Sequence, residues 1–184
     1  TNQDILGLKA GAINFSDLDQ DGDQDLIMSG WSVLTGTNVT KVYKNEPLGT
    51  YTEVEIGLDF GVSYGTIESA DYDNDGDLDF IISGVDSLVN LATDVLSLGA
   101  KLIRNNSNFS FTEVQGFQDV RVANFIDINS DLRPDLVLNG TTQLGDINSS
   151  FTKAFINQSE LNSSPPEAPI SLTAFTVSNR AIFT

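Results

Sequence analysis

The stretch DYDNDGDLD at residues 71–79 carries five aspartates in nine positions and is followed at once by the apolar run FIISG. Five like charges side by side in water repel one another. Either a cation sits among them or the segment is disordered. Hydrophobic residues make up 40% of the chain, too many for a disordered acidic polymer. The cation reading therefore leads.

The stretch recurs. DLDQDGDQD starts at Asp17 and DINSDLRPD at Asp127, and they run into LIMSG and LVLNG. The starting aspartates are 54 and 56 residues apart, a period that signals a repeat architecture. Further along each unit come KVYKN (41–45), KLIRN (101–105) and KAFIN (153–157). Seven residues beyond Asn45 and Asn105 stand Thr52 and Thr112, in YTEV and FTEV. Apolar alternation upstream of the loops (Ile13 and Phe15, Ile67, Ala123 and Phe125) predicts half-buried strands, and the LIMSG-type runs predict fully buried ones. Each unit thus reads strand, acidic loop, strand, variable hairpin, strand, turn, strand. Four strands per unit is the content of one propeller blade.

Composition narrows the chemistry. The 184 residues contain no Cys, so disulfides, thiolate metal sites and thiol redox chemistry are out. They contain no His, which removes the commonest general base and the usual zinc ligand. No apolar run approaches the roughly 18 residues of a membrane helix. The net charge is −17, and the three loops hold thirteen of the 26 acidic residues, which disfavours nucleic acid or an anionic membrane as partner.

A hard cation such as Ca²⁺ takes six to eight oxygen ligands. Carboxylates at loop positions 1, 3 and 5, a carbonyl at position 7 and a closing carboxylate supply them. Gly22 and Gly76 occupy position 6, where a sharp turn favours a residue tolerant of positive φ. The helix-flanked calcium loop closes with Glu at position 12, but here that position is Met28, Ile82 and Leu138. The closing ligand expected instead is position 9, which is Asp25, Asp79 and Asp135. The third loop departs from the pattern. Asn129 replaces a carboxylate, Leu132 replaces Gly, and Arg133 and Pro134 follow, so its occupancy by metal is left open.

The pattern D-x-D-x-D-G-x-x-D-L/F-I, with Phe60-Gly61 upstream, resembles the FG-GAP/VCBS repeat family, and the VYKN…YTEV endings look like its bacterial type. The resemblance covers residues 1–158. It implies an all-β fold, three consecutive four-stranded blades of a partial β-propeller with calcium in the inter-strand loops, the third blade lacking its outer strand. Carried over position by position, it implies Ca²⁺ on Asp17, Asp19, Asp21 and Asp25; on Asp71, Asp73, Asp75 and Asp79; and on Asp127, Asn129, Asp131 and Asp135. Asp23, Asp77 and Arg133 contribute backbone carbonyls. It implies adhesion, ligand binding or scaffolding by a secreted or cell-surface, bacterial protein, not catalysis. The partners expected are a protein or glycan ligand and further blades from the same or another chain. The alternative is a carbohydrate-binding accessory propeller of a secreted polysaccharide-active enzyme. An active site would need paired carboxylates in a pocket, and nearly all those here are assigned to metal.

Residues 159–169, with Pro165, Pro166 and Pro169, read as a stiff linker, and 170–184 as the start of a following β domain resembling fibronectin type III. Residues 85–100 form the longest insertion, either a partner-binding loop or a hairpin packed on its own blade.

Overall fold

The computed structural model describes residues 5–47, 49–90, 95–142, 149–158 and 172–176. The alternating segments and buried runs form twelve strands among these residues: β1 (Leu8–Ser16), β2 (Asp25–Ser32), β3 (Thr37–Glu46), β4 (Thr50–Val54), β5 (Ser63–Ala70), β6 (Asp79–Asn90), β7 (Val95–Asn105), β8 (Phe111–Gln118), β9 (Val120–Ile126), β10 (Asp135–Thr141), β11 (Ser150–Asn157) and β12 (Leu172–Thr176). They make three antiparallel four-stranded sheets in sequential order, β1–β4, β5–β8 and β9–β12. Each acidic loop joins the first strand of its sheet to the second.

The second strand of the middle sheet, β6, is buried on both faces through its run Phe80–Val85, and its period-2 alternation divides those side chains between the two neighbouring sheets. Ile27 and Val42 of the first sheet pack with Phe80, Ile82 and Ile103 of the second. Ile81 and Leu102 point the other way and pack with Leu136 and Leu138 of the third. Two inter-sheet seams therefore form most of the core, beside a smaller cluster of Leu26, Met28 and Tyr43 in the first sheet. Leu18 and Tyr72, at position 2 of loops 1 and 2, are buried in these seams.

The small residues closing the buried runs have steric reasons. The first strands bulge, with register shifts between Lys9 and Ala12 and between Ser63 and Thr66. Ala10 (φ 50°) and Tyr64 (φ 51°) take left-handed backbone there. A Cβ on Gly84 would stand 2.7 Å from the Gly65 Cα, so only glycine fits opposite the bulge. The serines before these glycines pin the next sheet: Ser29 Oγ accepts the Val62 N–H at 2.8 Å, and Ser83 Oγ accepts the Ala123 N–H at 2.9 Å.

One expectation is corrected. The third sheet has its outer strand: β12 pairs antiparallel with β11, Asn157 opposite Leu172 and Ile156 opposite Thr173. Its register matches Asn45 opposite Tyr51 and Asn105 opposite Phe111. KAFIN is thus not a free edge. Residues 172–176, placed at the start of a following domain by sequence, complete the third sheet instead. The linker at 159–169 lies outside the described residues. The long insertion extends β6 and β7 as one hairpin, with Leu98 and Ala100 buried at its base.

Candidate metal centre

The three loops share one internal scaffold, built from their own carboxylates. Position 1 turns the chain: Asp17 accepts the N–H groups of Asp21 and Gly22 at 3.1 and 3.0 Å, and Asp127 those of Asp131 and Leu132 at 3.1 and 2.9 Å. Asp71 accepts the Gly76 N–H at 3.1 Å. Position 5 holds position 7, through Asp21 to the Asp23 N–H, Asp75 to the Asp77 N–H and Asp131 to the Arg133 N–H, at 2.9–3.0 Å. Two residues per loop adopt left-handed backbone: Gln20 and Gly22, Asn74 and Gly76, Ser130 and Leu132.

Position 9 is buried in all three loops and ties two strands together. Asp25 accepts the Leu18 N–H at 2.9 Å and the Asn45 N–H at 2.8 Å. Asp79 does the same with Tyr72 and Asn105, both at 2.9 Å. Asp135 does so with Ile128 and Asn157, at 2.8 and 2.7 Å. Spacing alone assigned these residues as closing ligands and missed this second role. Each carboxylate oxygen keeps a further lone pair, so the two roles are compatible.

In loops 1 and 2 position 3 has no part in the scaffold. Asp73 is 3% exposed, and neither of its carboxylate oxygens has a hydrogen-bond partner. Arg104 Nη1 approaches Asp73 Oδ2 only to 3.8 Å. Asp71 Oδ1 is likewise buried without a partner, as is Asp19 Oδ1 in loop 1. Asp71, Asp73 and Asp79 bring ligand oxygens within 4.8 Å of one another, and so do Asp17, Asp19 and Asp21. Among the described residues the third loop forms no such group. There Asn129 bonds to Asp131, and Arg133 Nη2 donates to Asp131 Oδ2 at 2.7 Å. Asp127 and Asp135 remain in their scaffold positions.

Electrostatics reflect the crowding. Burial pushes Asp73 up to about 6 and Asp79 up to about 7, with neighbouring aspartates adding to both. Burial also raises Asp71 and Asp25. Asp21 is lowered, first by the Asp23 N–H and then by Lys44, and Asp131 is lowered by Arg133. Asp23 is exposed at its loop tip. Asp77 accepts hydrogen bonds from Gln20 Nε2 (2.5 Å) and Ser107 Oγ.

The seams contain a residue that the sequence marked only as the end of a recurring motif. Asn105 Nδ2 donates to the Leu18 carbonyl of the preceding unit at 2.7 Å, and Asn157 Nδ2 to the Tyr72 carbonyl at 2.6 Å. The Asn of the second and third K-x-x-x-N motifs therefore clamps the acidic loop of the preceding unit.

Stacked four-stranded antiparallel sheets, each with an acidic loop between its first two strands, define an all-β repeat protein with candidate cation sites. Residues 10–82, spanning the first loop and the second through its buried run, match the family model described as FG-GAP-like repeat. That segment carries an FG-GAP-like repeat. No curated protein matches the chain. Among the described residues no helix is long and apolar enough to cross a membrane.

Proposed function

We propose that the chain is a segment of a calcium-stabilised β-propeller from a secreted or cell-surface protein, used for adhesion, ligand binding or scaffolding rather than catalysis. The observation that carries the metal reading is Asp73. A buried carboxylate with no hydrogen bond is costly unless a cation compensates it, and ligand oxygens of Asp71 and Asp79 lie within 4.8 Å of it. Asp71, Asp73, Asp75 and Asp79 would hold the ion in loop 2, and Asp17, Asp19, Asp21 and Asp25 in loop 1. All donors are oxygens, which suits a hard divalent cation. When bound, the ion supplies charge neutralisation, and the chain's own residues supply the turn that it locks. Loop 3 has only three carboxylates, and Arg133 already pairs with one of them, Asp131.

The partner reading rests on the third sheet. Its open face exposes Ile128, and its Asn139 is exposed, whereas the repeat-equivalent Leu18, Tyr72, Ser29 and Ser83 are buried by the next sheet. A further blade of the same kind fits that face. The extracellular reading draws on the FG-GAP-like repeat of residues 10–82.

Calorimetric titration and thermal melting test the metal reading. Ca²⁺ binding to the folded state alone adds about 2.7 kcal/mol at a hundredfold excess over Kd. Melting should fall in chelator and recover with Ca²⁺. A melting temperature indifferent to both would refute the reading.

A further inference from the structure

Loop 1 carries its own cation. Lys44, on β3, donates from Nζ to Asp19 and, at 3.0 Å, to Asp21 Oδ2. The same ammonium stands 5.5 Å from the centroid of the Phe109 ring, in the turn between β7 and β8 of the second unit. Loop 2 differs at the equivalent position. Arg104 donates from Nε to Asn106 Oδ1 at 2.9 Å and comes no closer than 3.8 Å to Asp73, both of whose oxygens stay without a hydrogen bond. In the third unit the equivalent residue is Ile156.

We propose that Lys44 is an internal counter-cation that competes with the divalent ion for loop 1, so that loop 2 fills first and loop 1 responds only at higher metal concentration. The inference rests on the reading of the loops as divalent-cation sites. An ion entering loop 1 needs oxygens of Asp19 and Asp21, and Lys44 holds one oxygen of each. Entry therefore breaks two charge-assisted hydrogen bonds and sets an ammonium beside a dication. The displaced ammonium stays on the Phe109 face, which attracts cations. At loop 2 the equivalent Arg104 pairs with Asp73 at 3.8 Å but makes no hydrogen bond to it, so an ion entering there breaks no such bond at position 3. The lysine also has a consequence without metal, because it compensates loop 1 where nothing equivalent hydrogen-bonds to Asp73.

The test is calorimetric titration of the whole chain with CaCl₂, comparing the wild type with Lys44→Gln, Lys44→Met and Lys44→Arg. The wild type should show two binding events of different affinity. Gln and Met should tighten the weaker event about tenfold, which is what two exposed ion pairs are worth together, while Arg keeps it weak. The tighter event should not move. Melting in chelator should fall for Gln and Met but not for Arg. A second measurement needs no variant: amine acetylation followed by peptide mass spectrometry. Lys44 should become more reactive on adding Ca²⁺, while Lys41, paired with Glu53 at 2.6 Å, should not. Two binding events that Lys44→Gln and Lys44→Met leave unchanged, or Lys44 reactivity indifferent to Ca²⁺ while the ion binds, overturn the inference alone. No binding in any variant overturns the metal reading and this inference with it.

Discussion

Asn105→Ala and Asn45→Ala are the same substitution at equivalent positions of adjacent units, yet the structure assigns them different costs. Both residues give a backbone N–H to the position-9 aspartate of their own loop, at 2.9 and 2.8 Å, and alanine keeps that bond. The side chains differ. Asn105 is fully buried and donates to the Leu18 carbonyl at 2.7 Å and, at 3.4 Å, to that of Leu78. Asn45 has no preceding loop to clamp among the described residues, and the Oδ1 atoms of both residues are alike in being buried without a partner. Truncating Asn105 leaves the Leu18 carbonyl unsatisfied in a buried seam, a loss of about 1–3 kcal/mol. The emptied volume adds to it, giving about 2–3 kcal/mol in all. Truncating Asn45 should cost about 0.5 kcal/mol or less. For a chain of this size about 2–3 kcal/mol corresponds to a melting decrease of roughly 5–10 °C. Differential scanning calorimetry with both variants at one saturating Ca²⁺ concentration reads the contrast. Losses within about 0.5 kcal/mol of each other, a typical non-additivity error, would show that the asparagines act within their own units and that the inter-unit clamp is not what holds the seam.

Two further outcomes follow from the loops. Burial raises Asp73 to about 6 and Asp79 to about 7, so between the unfolded carboxylate value near 4 and pH ~7 the folded chain binds more protons than the unfolded one. Metal-free stability should therefore fall as pH rises through that window, giving a higher melting temperature at pH 5 than at pH 8. Ca²⁺, which binds the ionised carboxylates, should reverse the order, and a metal-free melting temperature that climbs over the window would contradict the burial argument. Leu132 holds φ 66° at 91% exposure where the other loops have glycine. Leu132→Gly should gain about 0.5 kcal/mol, while Gly76→Ala, at φ 97° with no atom within 4 Å of the added Cβ, should lose about 1–2 kcal/mol from backbone strain alone. Urea titration of both variants checks the signs.

The repeat made most of this architecture legible before any coordinates. Period, loop chemistry and buried runs together place the first eleven strands, because each signal recurs in register and one unit corrects the reading of the next. The twelfth strand escaped because its register depends on distance along the chain. Thr52 and Thr112 lie seven residues past their asparagines, but Thr173, paired at the same place in the sheet, lies sixteen past Asn157. The motif was present as LTAF beside YTEV and FTEV, and the intervening segment hid it. The first-strand bulges were also invisible. Ala10 and Tyr64 are not residues that announce left-handed backbone, and sheet pairing imposes it on them.

What one letter repeated five times conceals is a division of labour. Read as charge, the aspartates of a loop are equivalent, and their mutual repulsion is the whole argument for a cation. Read by hydrogen bonds, they are not. Positions 1 and 5 cap backbone N–H groups within the loop, and position 9 joins the loop to the third strand of its sheet. Each of those carboxylates would be needed with or without an ion. In loops 1 and 2 position 3 caps no backbone N–H, and its three occupants diverge accordingly. Asp73 is buried and unpaired, Asp19 is held by Lys44, and Asn129 has given up its charge to bond within its loop. The acidic count alone ranks loops 1 and 2 as equals. The residue at position 3 and the side chain facing it separate them, and the same two positions explain why loop 3 keeps its shape with only three aspartates.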